Sequence, residues 1–143
     1  MNLREQIIEF EGWKNEAYPD PLTRGAPWTI GVGHTGPEVF EGLVWGDGLI
    51  SQTLDEDLGD AIEGTLYAFP WVARLTEPRR AVLFGMAFQM GIPRLSLFKR
   101  FLAYARDEKF PQSSGELLDS KWAKQTPSRA RRLASQMETG EWS

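Results

Sequence analysis

A chain of 143 residues with 41% hydrophobic and 25% charged side chains reads as one soluble globular domain, long enough to bury a core without staples. It holds no cysteine and a single histidine, which excludes disulfides, thiolate metal sites and histidine-rich metal centres. The net charge of −4 hides an asymmetry: residues 1–75 carry 4 Lys/Arg against 13 Asp/Glu, a net of −9, and residues 76–143 carry 12 against 7, a net of +5. Either these are solvated faces of differing sign, or a basic lobe meets an anionic polymer while an acidic lobe carries the working acids. Nucleic acid is disfavoured as that polymer, because the basic residues are not interleaved with stacking aromatics.

The first twelve residues, MNLREQIIEFEG, hold three acids and no long apolar run, so neither a signal peptide nor a membrane anchor is expected there. Leu3, Ile7 and Phe10, with Ile8 beside them, fall at helical spacing, with Asn2 as a candidate N-cap and Gly12 as the stop. Glu11 then occupies the last turn, where the helix end is already negative and an acid is disfavoured. From Ala17 to Gly33 the pattern changes. Pro19, Pro21, Gly25 and Pro27 punctuate it, Trp28–Val32 reads as a strand, and a small irregular antiparallel sheet is expected.

Residues 36–48 read as loop. Ser51 is expected to open a helix with Leu54, Leu58, Ile62 and Leu66 along one side. After Thr76, a candidate cap, AVLFGMAFQM predicts a buried central helix with Phe88, Met86 and Met90 in the core, stopped by Gly91 and Pro93. SLFKRFLAYARD is amphipathic, a short helix is expected over Glu116–Ala123, and a last one from Ser128 to about Met137 ends at Gly140. Trp122 and Trp142 are expected to pack that last helix down. The sum is a small mixed lobe followed by an all-helical one.

Glu11 and Asp20 are the first candidates for chemistry. A protonated acid and an ionised carboxylate flanking a bond are the apparatus for cleaving a glycoside, and Thr29 offers a hydroxyl that can hold a water. His34 reads either as a general base or as a structural histidine paired to a carboxylate, Asp57 being the candidate partner; the structural role is favoured. The GVGH glycines lack the lysine and helix start of a phosphate loop, which rejects that reading. Gln89, amid apolar residues, is either satisfied inside the core or exposed to a ligand.

Three ordered motifs then point to a family. Glu11-Gly12, Ala17-Tyr18 and Asp20, followed by Thr29-Ile30-Gly31-Val32-Gly33-His34, resemble the phage-type lysozymes of glycoside hydrolase family 24. Phe88-Gln89-Met90-Gly91 is similar to the family's central-helix motif. Trp122 with Gln125-Thr126-Pro127, Arg129-Ala130 and Thr139-Gly140 to Trp142 is similar to its C-terminal one.

The resemblance spans about residues 3–142 and implies an α+β lysozyme-like fold. It has a small antiparallel-sheet lobe (about 13–60) and a larger helical lobe (about 1–12 and 61–143), joined by a helix, with the cleft between. It implies a muramidase cutting the β-1,4 bond between N-acetylmuramic acid and N-acetylglucosamine. Glu11 would be the general acid, and Asp20 with Thr29 would hold the attacking water. Gln89, Gly33 and Thr126 would contact the glycan, Arg129 would sit close to Glu11, and His34 with Asp57 would be structural.

No cofactor or metal, no nucleic acid and no membrane insertion is implied. The partner is the peptidoglycan glycan strand, met by a monomer that waits in the host cytoplasm for a separate holin-type pore or rides in a virion. A lytic transglycosylase needs no positioned water, so the retained Asp20 and Thr29 argue against it. A non-catalytic wall-binding domain would not need Glu11. The stretch from Asp20 to Thr29 is longer than in T-even members of the family, and the one from His34 to Asp57 is shorter.

Overall fold

In the computed structural model, which describes Met1–Ser143, the first helix is α1 (Leu3–Glu11). It buries Ile7 and, beside it, Gln6, a polar residue that the apolar spacing did not single out. Gly12, at φ +78°, donates its N–H to the Ile8 carbonyl at 2.8 Å and turns the chain out of the helix.

The chain enters a three-stranded antiparallel sheet of order β1 (Lys14–Tyr18), β2 (Thr29–Gly31) and β3 (His34–Thr35). The register pairs Lys14 with Gly31 and Tyr18 with Thr29, so it shifts between those pairs. The sheet is as small and irregular as its prolines and glycines predict, although it opens at Lys14 rather than Ala17. The free edge of β1 is met by the segment around Val44, through Ala17 N–H to Leu43 O at 2.9 Å and Trp45 N–H to Asn15 O at 2.8 Å. Ala17, Ile30 and Val39 form the core under it, flanked by Trp28, Leu43 and Trp45.

Helix α2 (Asp47–Ala68) begins four residues before the expected Ser51. The Asp47 carboxylate accepts from Trp13 Nε1 at 3.0 Å and Asn15 Nδ2 at 2.9 Å, anchoring the helix start to the sheet. Those bonds hold its pKa below the usual carboxylate range, Asn15 first and Trp13 second. An acid in the first turn also suits the positive helix end. The chain divides into two compact units, Arg4–Asp60 and Met1–Leu3 with Ala61–Ser143, and α2 carries it from one into the other.

In the second unit a 3₁₀ turn (Pro70–Arg74), absent from the sequence reading, precedes α3 (Glu77–Met90). Thr76 stands at the N-cap position but makes no side-chain cap bond; Arg80 instead donates its backbone N–H to the Thr76 carbonyl and its guanidinium to the Leu75 carbonyl. Ala81–Ala87 are buried as predicted, whereas Phe88 and Met90, expected in the core, are half-buried at the end of the helix. After Gly91 the chain does not simply stop: α4 (Ile92–Leu95) is a single turn with Pro93 in its first positions, where a missing N–H costs nothing. Helix α5 (Lys99–Arg106) therefore starts later than the run from Ser96 suggested.

The single short helix expected over Glu116–Ala123 is replaced by two, α6 (Phe110–Leu118) and α7 (Lys121–Gln125). Ser120 caps the second by accepting from Ala123 N–H at 3.1 Å.

Helix α8 (Pro127–Thr139) closes the chain and ends at Gly140, as its sequence predicts. Its carboxyl end is held by Arg79, which donates to the Met137 and Glu138 carbonyls at 2.8 Å each and lies 3.6 Å over the Phe110 ring. The ring contact alone is worth about 0.5–2 kcal/mol. Buried Gln136 ties α8 to α3 by donating to the Pro78 carbonyl at 2.7 Å. The architecture is α+β, one small antiparallel sheet and eight α-helices, as the motifs imply.

Candidate functional site

Six of the nine candidate residues, Glu11, Asp20, Thr29, Gly33, His34 and Asp57, belong to the Arg4–Asp60 unit. Glu11 is the last residue of α1, and the turn at Gly12 directs the chain at once into β1. Its carboxylate rests on Gly33: a β-carbon placed there would lie 2.8 Å from Glu11 Oε2 and 3.0 Å from Cδ. At φ +64°, residue 33 also holds a backbone that side chains resist. Gly33 is therefore the seat of Glu11, and any larger residue would displace the acid.

Thr29 lies on the central strand between Tyr18 and Thr35, and its half-buried hydroxyl has no partner within the chain. Tyr18, which the motif contained but the sequence reading gave no role, brings a half-buried phenol beside it. Burial and then the charge of Glu11 push that phenol's pKa up, so it stays a neutral donor.

Asp20 follows two residues later in a self-contained turn. Its Oδ1 accepts from Leu22 N–H at 2.8 Å and Thr23 N–H at 3.1 Å, its own N–H donates to Gly25 O, and its carbonyl accepts from Arg24 N–H. Thr23 Oγ1 then donates to Ala26 O at 2.7 Å, ahead of a cis Ala26–Pro27 bond. The long insertion thus folds upon itself and returns the chain to β2. Oδ2 of Asp20 is left without a partner in the chain. The arrangement offers an acid at a helix end, a tethered carboxylate with one free oxygen, and two free hydroxyls on adjacent strands.

His34, on β3, is bound at both ring nitrogens: Nδ1 lies 2.6 Å from Asp57 Oδ2 and Nε2 lies 2.6 Å from Glu38 Oε1. Ionised carboxylates only accept, so a partner at each nitrogen favours the doubly protonated ring. Burial alone would lower its pKa, but the bonds and charges of Glu38 and Asp57 outweigh it and the pKa is raised. Asp57 is the partner the sequence suggested. Glu38, four residues past the histidine, was not named; its own pKa is lowered, first by the bond to His34.

A raised histidine pKa stabilises the fold below the usual 6.5 and loses that contribution as pH rises through the raised value. The lowered Glu38 contributes above the usual 4.5 and is lost on acidification. The melting temperature is therefore expected to fall as pH is raised from 6.5 through the alkaline range, and His34→Gln should remove that fall. An unchanged pH profile in the variant would mean the clamp does not contribute.

Gln89, Thr126 and Arg129 belong to the other unit. Gln89 is half-buried at the end of α3. Its Oε1 accepts from Trp122 Nε1 at 3.1 Å, which leaves the amide NH₂ available to donate. Trp122 is 5% exposed and meets Phe98 edge-on, so it packs as expected. Thr126 Oγ1 donates to the Trp122 carbonyl at 3.0 Å, and Arg129 is half-buried on α8. No group of three or more His, Asp or Glu side chains is gathered as a metal would require.

Residues 8–136 match the family model described as Phage lysozyme. The chain is 29% identical over 164 aligned positions to "Probable T4-type lysozyme 2" of Dictyostelium discoideum, covering 97% of this chain and 95% of that one. It is 36% identical over 62 positions to "Probable T4-type lysozyme 1" of the same organism, covering 43% and 36%. It is also 26% identical to "Peptidoglycan hydrolase gp36" of Pseudomonas phage phiKMV, across 96% of this chain but 15% of that longer protein.

Proposed function

The chain belongs to the phage lysozyme family, and on that premise we propose that it is a muramidase, hydrolysing peptidoglycan between N-acetylmuramic acid and N-acetylglucosamine. Glu11 protonates the leaving glycosidic oxygen. The free Oδ2 of Asp20 and the free hydroxyl of Thr29 orient a water for attack on the opposite sugar face. The observation that carries the reading is the seating of the Glu11 carboxylate on Gly33, which fixes the acid at a backbone position that only glycine suits. Gln89 and Thr126 contribute hydrogen bonds to the glycan. His34, Asp57 and Glu38 hold the β3 region in place rather than touching substrate.

No helix is long and apolar enough to cross a membrane. Delivery to the wall by a separate pore, or within a virion, is the corresponding proposal for its site of action.

Digestion of purified peptidoglycan followed by borohydride reduction tests the bond assignment. The new ends are expected to be muramitol. Glucosaminitol ends would show that the other β-1,4 bond is cut.

A further inference from the structure

The charge asymmetry of the sequence has a counterpart in the two units, and the proposed reaction does not use it. Arg4–Asp60 carries 3 Lys/Arg against 12 Asp/Glu, a net of −9, while Met1–Leu3 with Ala61–Ser143 carries 13 against 8, a net of +5. Part of that excess frames a depression of about 220 Å³ in the helical unit, lined by Phe69, Trp71, Ser96, Lys99, Leu102 and Arg106. No acid lines it. Phe69 and Trp71 are both half-buried, with ring centroids 6.1 Å apart and planes tilted by 53°. Lys99 is exposed and has no carboxylate partner; Arg106 is exposed and engages only its sequence neighbour Asp107, at 3.3 Å. The two cations are seven residues apart on α5, two turns, so they stand on one side of the helix about 10 Å from each other.

We propose that this depression is a second, non-catalytic holding site for peptidoglycan, taking an amino-sugar ring against Phe69 and Trp71 and the polymer's carboxylates on Lys99 and Arg106. The ligand follows from the chemistry of the lining. A pyranose ring presents an apolar C–H face that suits an aromatic wall, and the volume admits about one such ring. A rim of cations without acids selects an anionic polymer, and the ammonium and guanidinium make charge-assisted bonds to carboxylates. Peptidoglycan supplies both groups in one repeat. The proposal rests on the peptidoglycan reading above. A second contact on one polymer would retain the protein between cuts, raising its effective concentration at the wall.

The test measures retention of the Glu11→Gln protein on purified sacculi, with Trp71→Ala and Lys99→Glu/Arg106→Glu introduced into it, on native walls and on walls whose carboxylates have been amidated. Each variant is expected to bind native walls about tenfold more weakly. Amidation of the walls is expected to weaken the parent, and the charge-reversed pair is expected to lose most of the salt dependence and to be weakened no further by amidation. Lys99 and Arg106 are exposed, so that variant should melt with its parent even if Trp71→Ala does not. In the Glu11 background, the same pair should cleave short soluble glycan oligomers at the parent rate.

Undiminished retention of the charge-reversed pair would overturn the proposal, as would equal loss of retention and soluble-substrate turnover. Failure of the parent to bind sacculi would also overturn it. Loss of retention in the variants, with no cleavage by the Glu11 protein, would leave the holding site standing and remove the muramidase reading.

Discussion

Glu11→Gln is expected to lower peptidoglycan cleavage by about 10²–10⁴-fold, the range associated with loss of a positioned general acid. Glutamine has nearly the shape of glutamate, so it can occupy the seat on Gly33 without displacing backbone. What it lacks is a proton to give the leaving oxygen. The fold should not suffer. Glu11 is half-exposed on the last turn of α1, and a carboxylate there opposes the negative end of the helix. The near-isosteric amide is expected to leave the fold intact, read as a cooperative melt. A cleavage assay beside a thermal melt separates these effects. Turnover within tenfold of the parent would remove Glu11 from the role of acid.

Asp20→Asn is expected to cost about 10²–10³-fold, the scale for removing one preorganised charged or polar group from a reacting centre. This substitution is more informative than alanine. Oδ1 of Asp20 holds the turn by accepting from Leu22 and Thr23, and an asparagine side-chain oxygen can accept the same two bonds. Only the charge is removed, and Oδ2 is replaced by a donor that cannot take a proton from water. Asp20→Ala would also release the turn, mixing two effects. Near-parental turnover of Asp20→Asn would place the water on another group. Glu16 on β1 and Glu41 in the loop after β3, both exposed, are two acids of this unit to examine next.

Local cues were clearer around Glu11 and His34 than at the helix boundaries. The Glu11-Gly12 pair was legible because a glycine after an apolar helical pattern signals a left-handed cap, and φ +78° bears that out. The pairing of His34 with Asp57 was legible through the family resemblance, but Glu38 was missed because Gly36 and Pro37 made the stretch read as loop. The start of α2 was misplaced because its cue is tertiary: Trp13 and Asn15, more than thirty residues earlier, bind Asp47, and Gly46 and Gly48 argue locally against a helix. Helices α6 and α7 merged in the reading because Gly115 interrupts the apolar spacing, and Ser120 caps α7 only after Asp119 has ended α6. Composition announced the positive helical unit, but not that two of its cations and two aromatics share one depression.

The central claim is that a water, oriented by Asp20 and Thr29, completes the cleavage that Glu11 begins. The most direct test is digestion of purified peptidoglycan in water enriched with heavy oxygen, with the products weighed promptly by mass spectrometry. The account predicts hydrated N-acetylmuramic acid ends, each carrying one heavy oxygen. Anhydro ends without the label would contradict it, because the sugar's own hydroxyl, and not a held water, would then have taken the place of the leaving group.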